Sequence, residues 1–425
     1  HTAHLSRTLH RHAEASAHTP EAVNFGDRHV GDAASQALST RITATADAYS
    51  ERLNARIAPT TGDATASGSF NQLAAGGSDS SSLTVGINTS TAGARSGTAT
   101  ISLASDGDGI NSLGQTALTG QTVNVSANVY RFAEATVDNP AAFAFGSVRV
   151  GDVLSQTVSI SNTAVADAFS EGLNASFGSA SDGRITNNGG SVSVLVAGGT
   201  DSTSMAVGID TSSAGTVSGT QTLNFASDGT GTSGLGVTAL DSQDLTVSAT
   251  ITANVYRAAN PVINTAQPVD FGNVREGAVI VAQAISITND VPDDGFSEAL
   301  NAQAAGTTGG VLNNGGSFSL LGPGATNNTA ITVSIDTSSA GDKSGVSTID
   351  FETDGTGSSG LPAADLSSQD VAVTGNVFRL AAASDHTPEP VNFGDRHVGD
   401  VVSQALTIQN TAAADGYSES LNASI

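Results

Sequence analysis

A ten-residue stretch that occurs twice, letter for letter, constrains the fold of this chain most strongly. It reads Val-Asn-Phe-Gly-Asp-Arg-His-Val-Gly-Asp at residues 23–32 and again at 391–400, with looser copies at 143–152 and 269–278. The third residue of each copy is a phenylalanine: Phe25, Phe145, Phe271 and Phe393. Successive phenylalanines are 120, 126 and 122 residues apart. A period this long predicts an array of similar domains, each large enough to bury its own core.

The repeat divides the 425 residues into three full units and a fragment. Residues 1–18 resemble the end of the third unit and are predicted to be a terminal strand or linker from a preceding unit. The units are predicted at these boundaries, and their names are kept below: first repeat 19–132, second repeat 141–257, third repeat 269–380 and partial fourth repeat 391–425. The linkers at 133–140, 258–268 and 381–390 contain proline, so we expect short, semi-rigid connections and an extended rod.

Short stretches of alternating apolar and polar residues predict half-buried strands within each repeat. Val158 and Ile160 show this alternation in the second repeat, whereas the first repeat has Thr40 at the second of these places, so we expect its strand to be the least regular. The Phe-Gly motif predicts a short first strand that turns at Gly26 and again at Gly31-Asp32. About seven such strands per repeat predict an all-β fold of tandem antiparallel β-sandwiches.

Four additional residues distinguish the end of the second repeat from the ends of the others. They precede the residues that close the last strand, Tyr256-Arg257. We therefore expect the final strand of the second repeat to be longer than its counterparts, or bulged.

A second recurring motif reads Asp-x-aromatic-Ser-Glu-x-Leu-Asn-Ala and begins at Asp47 in the first repeat. It predicts a turn followed by a strand, with the aromatic residue and the leucine packed inward. A hydrolase would need a base oriented toward the serine, and no histidine recurs in the second and third repeats. We therefore assign a structural role at a turn to the Ser-Glu pairs: Ser50/Glu51, Ser170/Glu171, Ser297/Glu298 and Ser418/Glu419.

The charge balance restricts the partners of this chain. Fifteen basic residues stand against 40 acidic ones, a net charge of −25, and Lys343 is the sole lysine. This balance argues against binding to nucleic acid, which depends on cationic side chains, and against docking on anionic lipid. The chain has no cysteine and no apolar run long enough to span a bilayer, and no signal peptide opens it. We expect a mature product or a piece of a longer chain.

Two groups of residues suggest metal binding, and each has a simpler interpretation. Five of the eight histidines lie within 1–18, which suggests metal capture, but the similarity of 9–20 to 377–388 favours a terminal strand. The turn Ser105–Asn111 alternates oxygen ligands with glycine, as Ca²⁺ loops do. The equivalent turns lack the second carboxylate and no bidentate glutamate follows, which favours an Asp-Gly turn. The sequence thus predicts no catalytic, cofactor-binding or metal-ligating residues, with Ca²⁺ as the one cofactor alternative.

The basic residue at the seventh position of the ten-residue motif also needs an interpretation. It is His29 in the first repeat and His397 in the fourth, but Arg149 and Arg275 in the repeats between them. Interchange of histidine with arginine indicates an exposed position rather than a metal ligand.

The motifs together resemble a known family. The pattern Phe-Gly-x-Val-x-Val-Gly-Asp, continued by Ser-Gln and alternating apolar residues, closes about 100 residues later on Asn-Val-Tyr/Phe-Arg. It resembles the bacterial choice-of-anchor D repeats, which are related to the ASH-type branch of the immunoglobulin-like fold. The resemblance covers three full copies and one partial copy. It implies immunoglobulin-like sandwiches on large secreted or surface-attached bacterial proteins, and it implies no catalytic residues. The surface anchor is not recognisable in this sequence.

These observations lead to a functional hypothesis. The chain is expected to be a secreted or cell-surface structural protein of the bacterial envelope, not an enzyme, whose tandem domains form a rod, fibre or surface layer. We expect it to self-associate head-to-tail or laterally, because the partial fourth repeat would otherwise expose apolar residues and strand edges. Either a longer chain or strand addition by a neighbour would cover them. The alternative is an adhesin stalk or a module that binds carbohydrate or another partner.

Overall fold

The computed structural model describes residues 4, 6–139, 143–241, 243–244 and 251–425. Every regular element among them is a β-strand, and none of these residues forms a helix of the length and apolarity needed to cross a membrane. The chain divides into two compact units. Unit 1 takes residues from 1–143, 155–209 and 219–251, and unit 2 takes residues from 144–154, 210–218 and 252–425, so the boundary passes through the second repeat.

The first repeat contains eight strands, in which alternating side chains face the core. They are β1 (Val23–His29), β2 (Ser35–Arg41), β3 (Arg52–Gly62), β4 (Ala64–Ser67), β5 (Ser69–Leu73), β6 (Ser78–Ile87), β7 (Gly93–Asp106) and β8 (Gln115–Tyr130).

The second repeat and the linker before it contain twelve strands among the described residues. They are β9 (Ala135–Val137), β10 (Ala144–Arg149), β11 (Ser155–Asn162), β12 (Gly172–Ala180), β13 (Ile185–Asn187), β14 (Ser191–Leu195), β15 (Thr200–Ile209), β16 (Gly215–Gly219), β17 (Gln221–Asp228), β18 (Val237–Ala239), β19 (Gln243–Asp244) and β20 (Ile251–Tyr256). The prediction of a longer or bulged last strand concerns residues 242 and 245–250, which lie outside the described residues.

The third repeat and its preceding linker contain eleven strands, and the partial fourth repeat has none. They are β21 (Pro261–Ile263), β22 (Val269–Arg275), β23 (Gln283–Ala284), β24 (Ile287–Asn289), β25 (Ala299–Thr307), β26 (Val311–Asn313), β27 (Ser317–Leu321), β28 (Thr326–Asn327), β29 (Thr332–Ile335), β30 (Gly341–Asp354) and β31 (Ala364–Phe378).

Unit 1 contains the whole sandwich of the first repeat. A five-stranded sheet in the order β1-β8-β7-β3-β5 faces a three-stranded sheet in the order β2-β6-β4. Leu38, Leu53, Leu83 and Ile101 lie fully buried in the core between them. Unit 1 also holds two sheets of the second repeat, β13-β15-β11-β9 and β14-β12-β17-β18, with β19 paired to β17. The burial of alternating side chains on both facing sheets excludes water from the core and stabilises the sandwich.

Unit 2 contains the sandwich of the third repeat and one sheet of the second. The five-stranded sheet β22-β31-β30-β25-β27 packs with the three-stranded sheets β23-β29-β26 and β21-β24-β28 around a core that includes Ile285, Leu300, Ile331 and Phe351. The sheet from the second repeat has the order β10-β20-β16. The prediction of an all-β fold built from immunoglobulin-like sandwiches is therefore confirmed.

The Phe-Gly motif is a bulged strand, which sharpens its interpretation. β1 pairs with β8, and the register shifts between Asn24 and Asp27 at Gly26, whose φ of 67° favours glycine. The Asn24 side chain accepts a hydrogen bond from the Gly26 N–H at 2.8 Å. The motif strand also runs parallel to its partner, unlike the antiparallel pairs predicted. Because β1 and β2 lie in different sheets, no hairpin dictates the direction of β1.

The expected linkers pair with the repeat that follows them. β9, from linker 133–140, pairs with β11, and β21, from linker 258–268, pairs with β24. In the same way Thr19 forms a bridge to Ser39 of β2, and Ala15 forms one to Ile42, the residue after β2. These segments therefore begin the next sandwich and are held by its hydrogen bonds.

The prediction that the first repeat has the least regular second strand was wrong. β2 is continuous over Ser35–Arg41, and Thr40 lies buried where the second repeat has Ile160. The interrupted strand belongs to the third repeat, where β23 and β24 replace it. A threonine at an inward position can present its methyl group to the core, so a polar residue there does not have to interrupt the strand.

Candidate functional site

The same backbone contact recurs wherever one repeat meets the next. The arginine that ends a last strand forms a parallel bridge to the serine of the following Ser-Glu pair, as Arg131 does with Ser170 and Arg257 does with Ser297. The Arg131 N–H donates to the Phe169 carbonyl at 2.9 Å, and the Glu171 N–H donates back to the Arg131 carbonyl at 3.2 Å. We call each such place a junction: first/second, second/third and third/fourth.

A buried glutamate lies at the centre of the first two junctions. Glu171 and Glu298 have no exposed side-chain surface. Ser227 and Ser233 donate hydroxyl hydrogen bonds to Glu171, the former at 2.6 Å. Thr353 donates to Glu298 at 2.7 Å, and Ser359 also donates to it. A buried carboxylate is costly unless it is hydrogen-bonded and paired, so these donors are what permits its burial.

The hydroxyl donors also bind the chain that enters each repeat. Ser227 accepts a hydrogen bond from the Ala133 N–H at 2.8 Å while it donates to Glu171. Thr353 accepts from the Ala259 N–H at 2.9 Å while it donates to Glu298. Each hydroxyl therefore connects the first residues of a linker to the buried glutamate.

The charge partner of each buried glutamate comes from the preceding repeat. Arg149 Nε lies 2.8 Å from Glu298 Oε2, and His29 Nε2 lies 2.9 Å from Glu171 Oε1. At the third/fourth junction, Arg275 Nε lies 2.8 Å from Glu419 Oε1, and this contact raises the pKa of Arg275. We call these basic residues the motif cations, because each occupies the seventh position of the ten-residue motif.

The prediction of an exposed seventh position was wrong for the first two motif cations. The His29 side chain is 13% exposed and that of Arg149 is 20% exposed, because both lie against the next repeat. It holds for Arg275, at 65%, and for His397. Interchange of histidine with arginine reflects a shared carboxylate partner, not contact with water.

A second ion pair lies at the edge of each junction. Arg131 donates to both carboxylate oxygens of Asp167 at 2.7 Å. Arg257 and Arg379 each donate to one carboxylate oxygen, of Asp294 and of Asp415. The arginine hydrogen bond holds the pKa of Asp167 below its ordinary value, and the N–H of Phe169 contributes to the same effect. These pairs are partly exposed, so they orient the junction more than they stabilise it.

The aromatic residue of the Asp-x-aromatic-Ser-Glu motif contacts the preceding repeat. The ring of Phe169 lies 5.5 Å from that of Tyr130, and Phe296 lies 5.8 Å from Tyr256, each at a tilted angle. The prediction that this residue packs into the core of its own repeat was therefore wrong. The leucine of the motif does so, since Leu53 is fully buried. Tilted aromatic pairs of this spacing contribute about 1 kcal/mol beyond their burial.

Residues 10–12 make the same contacts on the first repeat. Arg11 bridges to Ser50 and pairs with Asp47, while the ring of His10 lies 5.9 Å from that of Tyr49. His12 contacts Glu51 at 3.1 Å. Burial alone would raise the pKa of Glu51, but hydrogen bonds from its neighbours, including His12, outweigh burial and lower it.

The histidines of the N-terminal segment have separate partners. His10 and His12 contact the first repeat as above, and His18 is buried beside Gln121 at 3.0 Å. Among residues 4, 6–139, 143–241, 243–244 and 251–425, no three histidine or acidic side chains are arranged to hold a metal ion. These contacts hold the N-terminal segment against the first repeat.

The candidate calcium turn uses its first carboxylate internally. Asp106 accepts hydrogen bonds from the Asp108 N–H at 2.9 Å, from Asn54 at 2.7 Å and from Gln115 at 2.9 Å. The Asp108 N–H and these side chains lower the pKa of Asp106. The neighbouring residue Asn111 donates to Glu51 at 2.7 Å, so this turn also supplies a donor to a buried glutamate.

Two depressions on sheet surfaces are the remaining candidate sites. The larger, of about 510 Å³, lies on the third repeat among strands β25, β27, β30 and β31. Its charged lining residues are all acidic: Asp350, Glu352 and Asp365. A depression of about 430 Å³ occupies the equivalent place in the first repeat and contains Arg56 instead.

Comparisons with known proteins leave the family open. No protein-family model and no curated protein matches the chain. Similar solved structures include the titin I-band fragment I67–I69 (11% identity, 84% of this chain and 97% of that chain, TM-score 0.27). Mouse protocadherin-24 EC1-3 (13%, 84% and 96%, TM-score 0.32) and Drosophila N-cadherin EC1-4 (10%, 84% and 74%, TM-score 0.25) are others. TM-scores this low carry no argument, so the fold assignment rests on the strand pairing and cores described above.

Proposed function

We propose that this protein is a structural, non-enzymatic repeat protein whose tandem domains are joined by a recurring contact between a basic residue and a glutamate, with the glutamate buried at the first two junctions. The observation that supports it is the recurrence of one atomic arrangement. A motif cation of one repeat contacts the glutamate of the next at 2.9 Å, 2.8 Å and 2.8 Å in three successive junctions. The residues that repeat most closely in this chain serve contacts between repeats, which is what a mechanical array requires.

The proposal treats the sequence repeats as folding domains. The domains would be 19–132, 141–257 and 269–380, followed by the partial fourth repeat 391–425, in an extended rod. Small-angle scattering of the whole chain tests this directly. An elongated particle supports the proposal, whereas the dimensions of a compact sphere of this mass would refute it.

We further propose that the protein acts at the bacterial cell surface and associates with itself, head-to-tail or laterally, as a fibre or layer. The net charge of −25, the absence of cysteine and the resemblance to surface-repeat proteins support this assignment. Labelling of intact cells with an antibody against the third repeat tests the location, and sedimentation at increasing protein concentration tests self-association. Antibody binding only after lysis would contradict the location.

A binding function is the second candidate, and the acidic depression of the third repeat favours it. Three carboxylates at its surface and amide side chains such as Asn301 and Gln303 could hydrogen-bond a polyhydroxylated ligand. A glycan array probed with the whole chain, and with an Asp350→Asn/Glu352→Gln variant, tests this function. Binding that the variant loses would establish it, and an array without signal would leave the structural role.

A further inference from the structure

The first/second junction differs from the other two in the chemistry of its motif cation. His29 pairs with Glu171 there, whereas arginines occupy the same position at the later junctions. An arginine side chain stays charged at any physiological pH, but a histidine ordinarily gains and loses its charge near pH 6.5. The charge–charge contact at the first/second junction therefore depends on protonation.

Two neighbours contact the imidazole ring of His29. Glu171 Oε1 lies 2.9 Å from Nε2 and has no exposure to water that would screen it. The ring of Phe132 lies 4.1 Å from the imidazole ring at an angle of 31°, close enough for an aromatic face to attract a cation. The second/third junction has Ala258 at the place of Phe132, so the aromatic ring accompanies the histidine.

Three other charged groups of the two repeats have partners of their own. Asp32, on its own turn, accepts the backbone N–H of His29 at 2.8 Å. Arg131, at the end of β8, is held by Asp167 and by Ser170. In the second repeat, Asp228 accepts hydrogen bonds from Asn174 and Thr230. Glu171 is thus the acidic group that contacts the imidazole.

We propose that the first/second junction is a pH-sensitive joint, firm when His29 is protonated and looser when it is neutral, while the arginine junctions remain unchanged. A neutral His29 still donates a hydrogen bond to Glu171, but the buried carboxylate then loses its compensating charge. The joint should therefore be firmer at low pH, where an imidazole is charged, and looser at high pH, where it is neutral.

Amide hydrogen exchange of the whole chain tests the proposal, since matched N–H groups report each junction. Arg131 and Glu171 report the first/second junction, and Arg257 and Glu298 report the second/third. Between about pH 5 and about pH 8, opening of the first pair relative to the second should rise about tenfold, because a hydrogen bond to a carboxylate is weaker from a neutral donor than from a charged one. Taking the ratio of opening at the two junctions cancels the intrinsic dependence of amide exchange on pH, because that dependence affects both junctions alike. A ratio that stays constant would overturn the proposal.

Reciprocal variants separate His29 from other titrating groups. His29→Arg should abolish the change in the ratio, and Arg149→His should transfer pH sensitivity to the amides of Arg257 and Glu298. His29→Gln, a neutral donor, should behave at both pH values as the unchanged protein does at high pH. Persistence of the pH effect in His29→Arg, or failure of Arg149→His to acquire one, counts against the joint. If one variant does not fold, the other and the unchanged protein still decide.

Discussion

The second/third and third/fourth junctions use the same pair of residue types in very different surroundings. Arg149 and Glu298 are 20% and 0% exposed, whereas Arg275 and Glu419 are 65% and 34% exposed, although both pairs are 2.8 Å apart. Thr353 and Ser359 enclose Glu298, whereas Glu419 lies six residues before the last residue of the sequence, in the partial fourth repeat. The distance between two charges therefore does not determine how much the ion pair contributes to the stability of its junction. The extent to which the carboxylate is shielded from water does.

The difference also explains why the motif pairs a cation with hydroxyl donors. An ion pair in water contributes little, since water already solvates both charges. Once the third repeat buries Glu298, removal of any partner leaves a charge or a donor unsatisfied. The buried junction should thus be sensitive to single substitutions that the exposed junction tolerates.

The largest expected effect comes from removing a motif cation. Arg149→Met keeps the aliphatic stem but leaves Glu298 buried without its charge partner, so we expect the junction to lose about 3–5 kcal/mol. Amide exchange at Arg257 and Glu298 measures the free energy of opening. Arg275→Met is the matched control, with a much smaller expected loss at Arg379 and Glu419, because water already solvates this exposed pair. Equal losses at the two junctions would show that enclosure does not matter.

Removing one hydroxyl donor should have a smaller effect. Ser359→Ala deletes a hydrogen bond to the buried Glu298 carboxylate, and bonds to charged groups contribute about 2 kcal/mol. The same amides report the loss. The exposed neighbour Ser358 gives the control, because Ser358→Ala should change the opening free energy little. A similar loss in both variants would mean that the turn, and not the hydrogen bond, is responsible.

The aromatic pairs should respond alike at the two junctions. The Tyr256–Phe296 and Phe378–Tyr417 rings are 5.8 Å and 5.7 Å apart, at 45° and 48°. Phe296→Leu and Tyr417→Leu should therefore each cost about 1 kcal/mol in the opening free energy of their own junction. A large difference between the two would indicate that the ring contact also depends on the buried ion pair.

Acid should weaken the outer ion pairs at both junctions. Hydrogen bonds from Arg257 and Arg379 hold the pKa values of Asp294 and Asp415 below the ordinary range, and the N–H groups of the following aromatic residues act in the same direction. A lowered pKa stabilises the junction above the unfolded value of about 3.9, and this stability is lost as pH falls below it. Amide protection should decline there, and Asp294→Asn or Asp415→Asn should remove that decline. An unchanged acid response in these variants would exclude the aspartates.

Local patterns in the sequence predicted the strands well where side chains alternate regularly. Val158 and Ile160 predict a strand in the second repeat, and both lie in β11 (Ser155–Asn162). The same reasoning fails at Thr40, because the residues that pack against it from the opposite sheet decide whether a threonine is buried. The bulge at Gly26 was interpreted as a turn, since a glycine with positive φ serves either structure.

The junction partners could not be recognised from local patterns. His29 and Glu171 are 142 residues apart, and Arg149 and Glu298 are 149 residues apart. One signal was present in the sequence: a basic residue in every ten-residue motif and a glutamate in every following Ser-Glu pair. Within its own repeat, the basic residue resembles an exposed side chain and the glutamate resembles part of a turn. Local patterns therefore do not predict an ion pair between repeats.

The sequence by itself determined the period, the all-β class and the residue types that recur at each junction, because alternation and turn chemistry act over a few neighbouring residues. The tertiary structure decided which recurring charged residues contact each other and which of them are shielded from water. Glu298 is enclosed by Thr353 and Ser359, which are 55 and 61 residues away in the sequence. Burial is a property of everything packed around a side chain, so the local motif cannot specify it.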